Sequence, residues 1–497
     1  MQSGFATLDW LVFGAYFLML AITSLLLSQV RVRTSRDYFV GSNRMPMLAV
    51  AISVLATSQS AATFLGGPEY SYRNDLTFLG FYLSAFLAIL FVAKVLIPRF
   101  YAINAVTVYE LLDIRYGERA KRYAGVMFLL GRLFASGARL YIGALAVSMI
   151  LFSDITFLHV NYAIILLMAG ALAYTYVGGV KSVIFSDIIQ AITYIGAGIA
   201  VLIYLYMTLN SDLSTIIATL QADDKLRLID WNLSFSSEGK FNIYGLLSGW
   251  LLLNIAAYGL DQDMTQRVLS CKNAASGQRS LYYSILFTVP VVLLFLAIGL
   301  LLYLFYQQQE VVQSFHGESV TIFMYYILNE MPEGLKGLVT VGAVAAALSS
   351  TNSVLGAMAS VAVEDIYKPL RHKQAHLDDA HFVRAARIAV LGFAVALCLM
   401  AMLSYLVHHG SDLPLLSFAL GVMAFAYSGL LGVYGAALFT NRGSEQSVLF
   451  ALLGGFMTVL VLQPYLFGAD VGFAWQIVLG TAVSFSIMQL YKAAPKG

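Results

Sequence analysis

Apolar runs of about twenty residues recur along the whole chain, parted by short segments that hold most of the Lys, Arg, Asp and Glu. As a helix rising 1.5 Å per residue, a run of that length covers the ~30 Å hydrocarbon core of a bilayer. The pattern predicts thirteen spans: 8–28, 47–70, 77–98, 123–151, 158–178, 181–209, 243–270, 278–306, 335–361, 383–407, 413–440, 446–465 and 471–491. An odd number puts the two ends on opposite sides. With the N-terminus outside, the inner segments collect 21 of the 29 Lys and Arg. The outer segments hold five (Arg73, Lys225, Arg227, Lys240 and Lys336), and Lys94, Arg132 and Arg139 lie within spans. Basic residues accumulate on the cytoplasmic side, so the expected orientation is N-out, C-in. The longest outer segments, 210–242 and 307–334, have room for a short helix, with TIFMYYILNEM as one candidate.

Composition supports the same class: 60% of residues are hydrophobic, only 11% are charged, and the mean hydropathy is +0.78. A soluble domain of this size does not carry so few charges, so a polytopic helical membrane protein is expected. The start, MQSGFATLDW, lacks the basic region of a cleaved leader, and Leu8 to Ser28 is read as a mature helix. Cys271 and Cys398 lie in or beside different spans, with no disulfide framework. The net charge of +2 says nothing of nucleic acid. No ATP-binding loop and no catalytic motif stands in its required context, so an enzyme is not expected. Transport energy then comes from an ion gradient or from the solute, unless a separate subunit supplies it.

Two spans are interrupted. The second reads ISVLATSQSAATFLGGPEY, with small and polar residues from Ala56 to Thr63 before a Gly-Gly-Pro stop. The seventh reads LLNIAAYGLDQDMTQRVLSC. A helix that breaks at mid-membrane frees backbone carbonyls, which can replace the hydration shell of an ion. Breaks at corresponding places of two repeats point to a transporter's binding site. The ninth span carries AALSSTNS, in which Ala346, Ser349, Ser350 and Ser353 share one helical face. Their hydroxyls suit a weak, reversible sodium site, because hard cations take oxygen ligands. The same small residues would also let two helices pack closely.

Charges inside spans are costly, roughly 2.5–3.5 kcal/mol each on insertion scales, and therefore informative. Lys94 lies five residues before Arg99 and is expected to snorkel to the inner face. Arg132 and Arg139 lie seven apart on one helical face. Either they pair with acids such as Asp261, Asp263 or Glu69, or one of them receives a substrate carboxylate as a bidentate fork.

Four segments carry a family resemblance: YTYVGGVKSVIFSDIIQ (174–190), LATSQSAATFLG (55–66), GLDQDMTQRVLSC (259–271) and AALSSTNS (346–353). With them the chain resembles the sodium:solute symporters, which include bacterial sialic acid, proline and galactose transporters and human sodium–glucose and iodide symporters. The resemblance implies an all-α LeuT-type fold with 13 transmembrane helices in one transmembrane domain over 1–497. Helix 8–28 would precede two inverted five-helix repeats, 47–209 and 243–440, with two further helices in 446–491. It implies a sodium site made by the carbonyls of Ala56, Gln59 and Ala346 and the hydroxyls of Ser349 and Ser350. A second sodium site would use Asp187, Ser349, Asn352 and Ser353, with Asn352 standing where that pattern has serine. Asp187 otherwise reads as a buried acid paired with Lys181 or another inner cation. Solute-lining positions would be Ser60, Thr63, Phe78, Tyr82, Asn254 and Tyr258, with Arg132 or Arg139 for a carboxylate. The arginine that a resembling sialic acid transporter uses falls between these two, near Ala135.

The expected function is sodium-coupled import of a small polar solute by alternating access across the bacterial cytoplasmic membrane. One or two Na+ would accompany each solute. A sugar acid such as sialic acid, or another organic anion, comes first; a neutral sugar or polyol is next, and an amino acid third. The alternative from a different class is a transporter-like sensor. Expected partners are solute, sodium and lipid, with no nucleic acid and no obligate protein partner.

Overall fold

A computed structural model describes residues 5–28, 32–236, 239–306, 311–371, 378–408, 415–464 and 469–492. They are helical nearly throughout. In chain order the helices are α1 (Thr7–Ser28), α2 (Ser35–Val40), α3 (Met47–Ser58), α4 (Ala61–Arg73), α5 (Leu79–Ala102) and α6 (Glu110–Tyr116). Next come α7 (Glu118–Leu151), α8 (Phe157–Leu209), α9 (Leu213–Ala222), α10 (Ile243–Leu260), α11 (Gln262–Leu269) and α12 (Ala274–Phe305). The last are α13 (Ile322–Asn329), α14 (Leu335–Arg371), α15 (Asp379–His408), α16 (Leu415–Phe439), α17 (Glu445–Val461) and α18 (Phe473–Leu490). A two-residue hairpin, β1 (Ser314–Phe315) against β2 (Glu318–Ser319), turns through His316 and Gly317, both at positive φ. That is the turn whose twist matches a tight hairpin.

Among the described residues, nine helices are long and apolar enough to cross a bilayer, and the bent pair α3–α4 makes a tenth. Three of the thirteen expected spans do not register separately. Spans 158–178 and 181–209 run together in the 53-residue α8, which would be about 80 Å long if straight. Span 413–440 begins at residues outside the described set, and 446–465 is helical only over Glu445–Val461. The continuity of α8 is broken at Gly179, with φ 58 and ψ −149. A side chain there would also run into the backbone carbonyl of Tyr38, so only glycine serves. The short helix expected in TIFMYYILNEM is α13, and Leu213–Ala222 gives the other long outer segment one as well.

The helix α14 is the axis of the bundle. Its most apolar window is 94% buried, and it packs against α8, α7, α1 and α15. Its run of Gly, Ala, Ser and Val lets neighbouring backbones come close. At its start, the buried carboxylate of Asp9 in α1 accepts from the amides of Gly334 (2.8 Å) and Gly337 (2.7 Å). An acid on the free amides of a helix N-terminus offsets the positive end of the dipole. Asp9→Ala leaves these amides unmatched and is expected to cost about 1.5–3 kcal/mol, read as a lower thermal midpoint of the purified protein. Lys94 is exposed, as a snorkelling lysine should be.

Candidate functional site

The first interrupted span ends its first half at Ser58 and restarts at Ala61, with a bend of 61°. Gln59 and Ser60 are extended between the halves. A continuing helix would send the Ser60 amide to the Ala56 carbonyl; here it bonds the Thr63 hydroxyl instead (2.7 Å). The Ala56 carbonyl is thereby released at a buried position. The small-residue face of α14 lies beside this break. A Cβ built on Gly143 of α7 would stand 3.0 Å from Ala347 Cβ and 3.5 Å from Ala61 Cβ, so the three elements meet there. Nearly two turns further along α14, the hydroxyls of Ser353 and Thr57 lie 3.1 Å apart. Ala346, Ser349 and Ser350 are all buried. The Ser350 hydroxyl donates to the Ala347 carbonyl (3.0 Å) and the Ser349 hydroxyl to Asp187 (3.0 Å).

Two tyrosines converge on the same break. The Tyr82 phenol lies near the Gln59 side chain and the Tyr258 phenol near that of Ser58. Asn254 turns toward α5, reaching the Phe81 carbonyl and the Ser84 hydroxyl, each at 3.4 Å. Phe78 belongs to an aromatic cluster with Tyr70, Tyr82 and Phe241.

The second interruption falls at Asp261, which is extended and caps α11 through the amide of Asp263 (3.0 Å). Every polar side chain of the DQDMTQR stretch is buried. Gln262 bonds the amide of Val108 (3.0 Å) and the carbonyl of Val106 (2.9 Å), and Gln266 donates to the Phe39 carbonyl (2.7 Å). The charged members form a chain. Arg132 of α7 bridges Asp261 (2.6 Å) and Asp263 (2.8 Å), and Tyr427 of α16 donates to Asp261. Asp263 also meets Arg267 (3.1 Å), which continues to Asp187 of α8 (3.2 Å).

Of the two uses open to the spanning arginines, Arg132 therefore makes the pairing with Asp261 and Asp263. Glu69 pairs with Arg73 instead. Arg139 lines a small cavity with Ser136, Ser350, Thr351, Val354 and Leu397. Asp187 does pair with a cation, but with Arg267; Lys181 goes to Asp37 (2.6 Å). Asp187, Ser349 and Ser353 come together, whereas Asn352 does not join them. In the orientation that satisfies both ends of its amide, Asn352 donates to the carbonyls of Ala171 (3.3 Å) and Leu348 (3.2 Å) and accepts from Gln190 (3.3 Å).

Sequence reasoning missed Ser53, Arg267 and Tyr427. Arg267 was counted among the basic residues of an inner segment, yet it is 1% exposed; the excess of inner over outer charge is large without it. Its spacing of four from Asp263, on a helix that starts inside a span, was the available signal.

Comparison with known proteins now bears on this geometry. The model of the Sodium:solute symporter family matches residues 38–455. The chain belongs to that family. As a symporter of this family it co-transports sodium with a solute. It is 26% identical over 480 residues to the sodium/sialic acid symporter SiaT of Proteus mirabilis, covering 96% of this chain and 93% of that one. Sodium/sialic acid symporter NanT of Aliivibrio fischeri is 25% identical over 485 residues, with 96% and 91% covered. Human sodium-coupled monocarboxylate transporter 1 is 28% identical over 429 residues, with 85% and 67% covered. Among solved structures, a Na+-coupled sialic acid symporter in a substrate-bound outward-open state superposes with a TM-score of 0.83 at 24% identity, covering 98% and 97%. The nucleobase-cation symporter Mhp1 gives 0.56 at 13% identity, covering 90% and 93%. The symporter thus has the LeuT-like fold that the family resemblance implied.

Proposed function

We propose that this symporter imports a small organic anion, a sugar acid such as sialic acid or a simpler carboxylate, with Arg139 receiving the carboxylate. The supporting observation is the cavity that Arg139 borders on α7, shared with Ser350 and with Ser136, whose buried hydroxyl lacks a hydrogen-bond partner among the described residues. A guanidinium beside hydroxyls is the donor set a carboxylate wants. The relatives agree in chemistry, since sialic acid and monocarboxylates both carry that group. Ser60, Thr63, Tyr82, Asn254 and Tyr258 would face the rest of the solute, with Phe78 near the outer end.

Sodium would bind at the break, between the carbonyls of Ala56, Gln59 and Ala346 and the hydroxyls of Ser349 and Ser350, and so hold α3–α4 against α14. Rocking of the bundle would then open the inner side, where low sodium releases the ion. The topology we infer is thirteen spans, N-out and C-in, in the bacterial cytoplasmic membrane, with α8 contributing two spans on either side of Gly179. No enzymatic step is invoked.

The test is uptake into proteoliposomes under an imposed sodium gradient, with labelled sialic acid, lactate, galactose, inositol and proline. Uptake of a carboxylate, lost in Arg139→Ala, is the expected result. Uptake of galactose or inositol alone, unchanged in Arg139→Ala, would replace the anion reading by the neutral-sugar one.

A further inference from the structure

The centre of the bundle contains a cation that never leaves. The Asp187 carboxylate accepts from Ser53 (2.5 Å) and from Arg267 Nε (3.3 Å) and Nη2 (3.2 Å) on one oxygen, and from Ser349 (3.0 Å) on the other. Arg267 Nη2 also donates to the Ser353 hydroxyl, which itself donates to the Ser349 carbonyl (2.6 Å). Ser53 is a further partner of Arg267 Nε, at 2.8 Å. Four elements, α3, α8, α11 and α14, thus converge on one guanidinium, and all five side chains are at most 2% exposed. These are the oxygens that would have to turn toward a second sodium. In the structure one Asp187 oxygen and the Ser353 hydroxyl face the guanidinium, the Ser349 hydroxyl is turned to the other Asp187 oxygen, and Asn352 is engaged elsewhere.

From this arrangement we infer that Arg267 occupies the second cation position as a tethered positive charge, so that the symporter binds one sodium per transport cycle. Electrostatics favours the same count. Arg267 already sets a full positive charge against Asp187. A second sodium there would bring a like charge beside the guanidinium in a buried site, which is expensive. The inference rests on the proposed sodium site at the break, but it concerns the ion count and does not depend on which solute is carried.

The experiment is equilibrium binding of 22Na+ to the purified full-length protein by scintillation proximity, without solute. Wild type is expected to bind one ion per chain, and Ser350→Ala to bind it about tenfold to a hundredfold more weakly. Asp187→Asn should still bind one ion, because the site at the break does not use that carboxylate. Arg267→Gln enlarges the cavity lined by Gln266, Arg267, Asn352 and Ser353 and leaves Asp187 without its cation; it is expected to bind two. Arg267→Lys and the double variant Arg267→Gln/Asp187→Asn should return to one. Two ions in wild type, or a folded Arg267→Gln that stays at one, would overturn the inference. So would a single ion that Asp187→Asn abolishes and Ser350→Ala binds as tightly as wild type. Should the ion bind with unchanged affinity in Ser350→Ala and also in Asp187→Asn, the site at the break is misassigned while the count of one stands.

Discussion

Arg132→Leu is expected to destabilise the purified symporter by about 3–5 kcal/mol, the largest effect of any single substitution considered. The cause is the charge left behind, more than the contacts removed. Asp261 and Asp263 are each about 1% exposed, and Arg132 bonds both, at 2.6 and 2.8 Å. Without it, Asp263 keeps Arg267, and Asp261 keeps the Tyr427 hydroxyl and the Asp263 amide. Two carboxylates then share a buried site with one guanidinium. Neutralising one of them should restore much of the loss, so Arg132→Leu/Asp261→Asn is expected to be more stable than Arg132→Leu alone. Such non-additivity marks residues in one network. Arg132→Lys keeps the charge but not the planar fork and should fall between wild type and Arg132→Leu. The measurement is the thermal midpoint in detergent, compared across these variants at one pH and salt concentration. An Arg132→Leu protein as stable as wild type would show that the bridge is not formed. For Arg139→Leu the expected phenotype is loss of anion uptake.

The two interruptions were legible in the sequence because they depend on local chemistry. Small and polar residues at 56–63 and the Gly-Leu-Asp at 259–261 cannot continue a lipid-facing helix, and the chain breaks at Gln59–Ser60 and at Asp261. The expected small-residue stripe on α14 is likewise buried and sits beside the first break. Partners across the bundle were not legible. Asp187 and Arg267 are eighty residues apart, and a helical sequence does not state which face of another helix it will meet. Lys181 looked like the natural partner of Asp187 because it is near in sequence. Six residues apart on one helix, however, the two point to different faces, and Lys181 reaches Asp37. The two spans read at 158–178 and 181–209 correspond to the two parts of α8 on either side of the break at Gly179.

Ser350→Ala is expected to raise the sodium concentration for half-maximal uptake by roughly tenfold to a hundredfold, weighing one hydroxyl–cation contact as a hydrogen bond to a charged group. The structure makes this a clean substitution. The Ser350 hydroxyl bonds only within its own helix, to the carbonyls of Ala347 (3.0 Å) and Ala346 (3.4 Å). Removing it costs no link between helices, so membrane abundance should hold while sodium dependence weakens. Ser349→Ala should raise the sodium requirement similarly and also take one donor from Asp187. Because Asp187 retains Ser53 and Arg267, a modest fall in stability is expected to accompany it. The readout is the initial rate of solute uptake against sodium, with choline replacing it at fixed pH, normalised to protein in the membrane. Proton coupling predicts the opposite pattern, with uptake following pH and indifferent to either serine. If both serine variants match wild type in sodium dependence, then the buried face of α14 serves close packing and the ion is held elsewhere. A graded loss, larger at low sodium and overcome at high sodium, is what a ligand lost from a weak, reversible site produces.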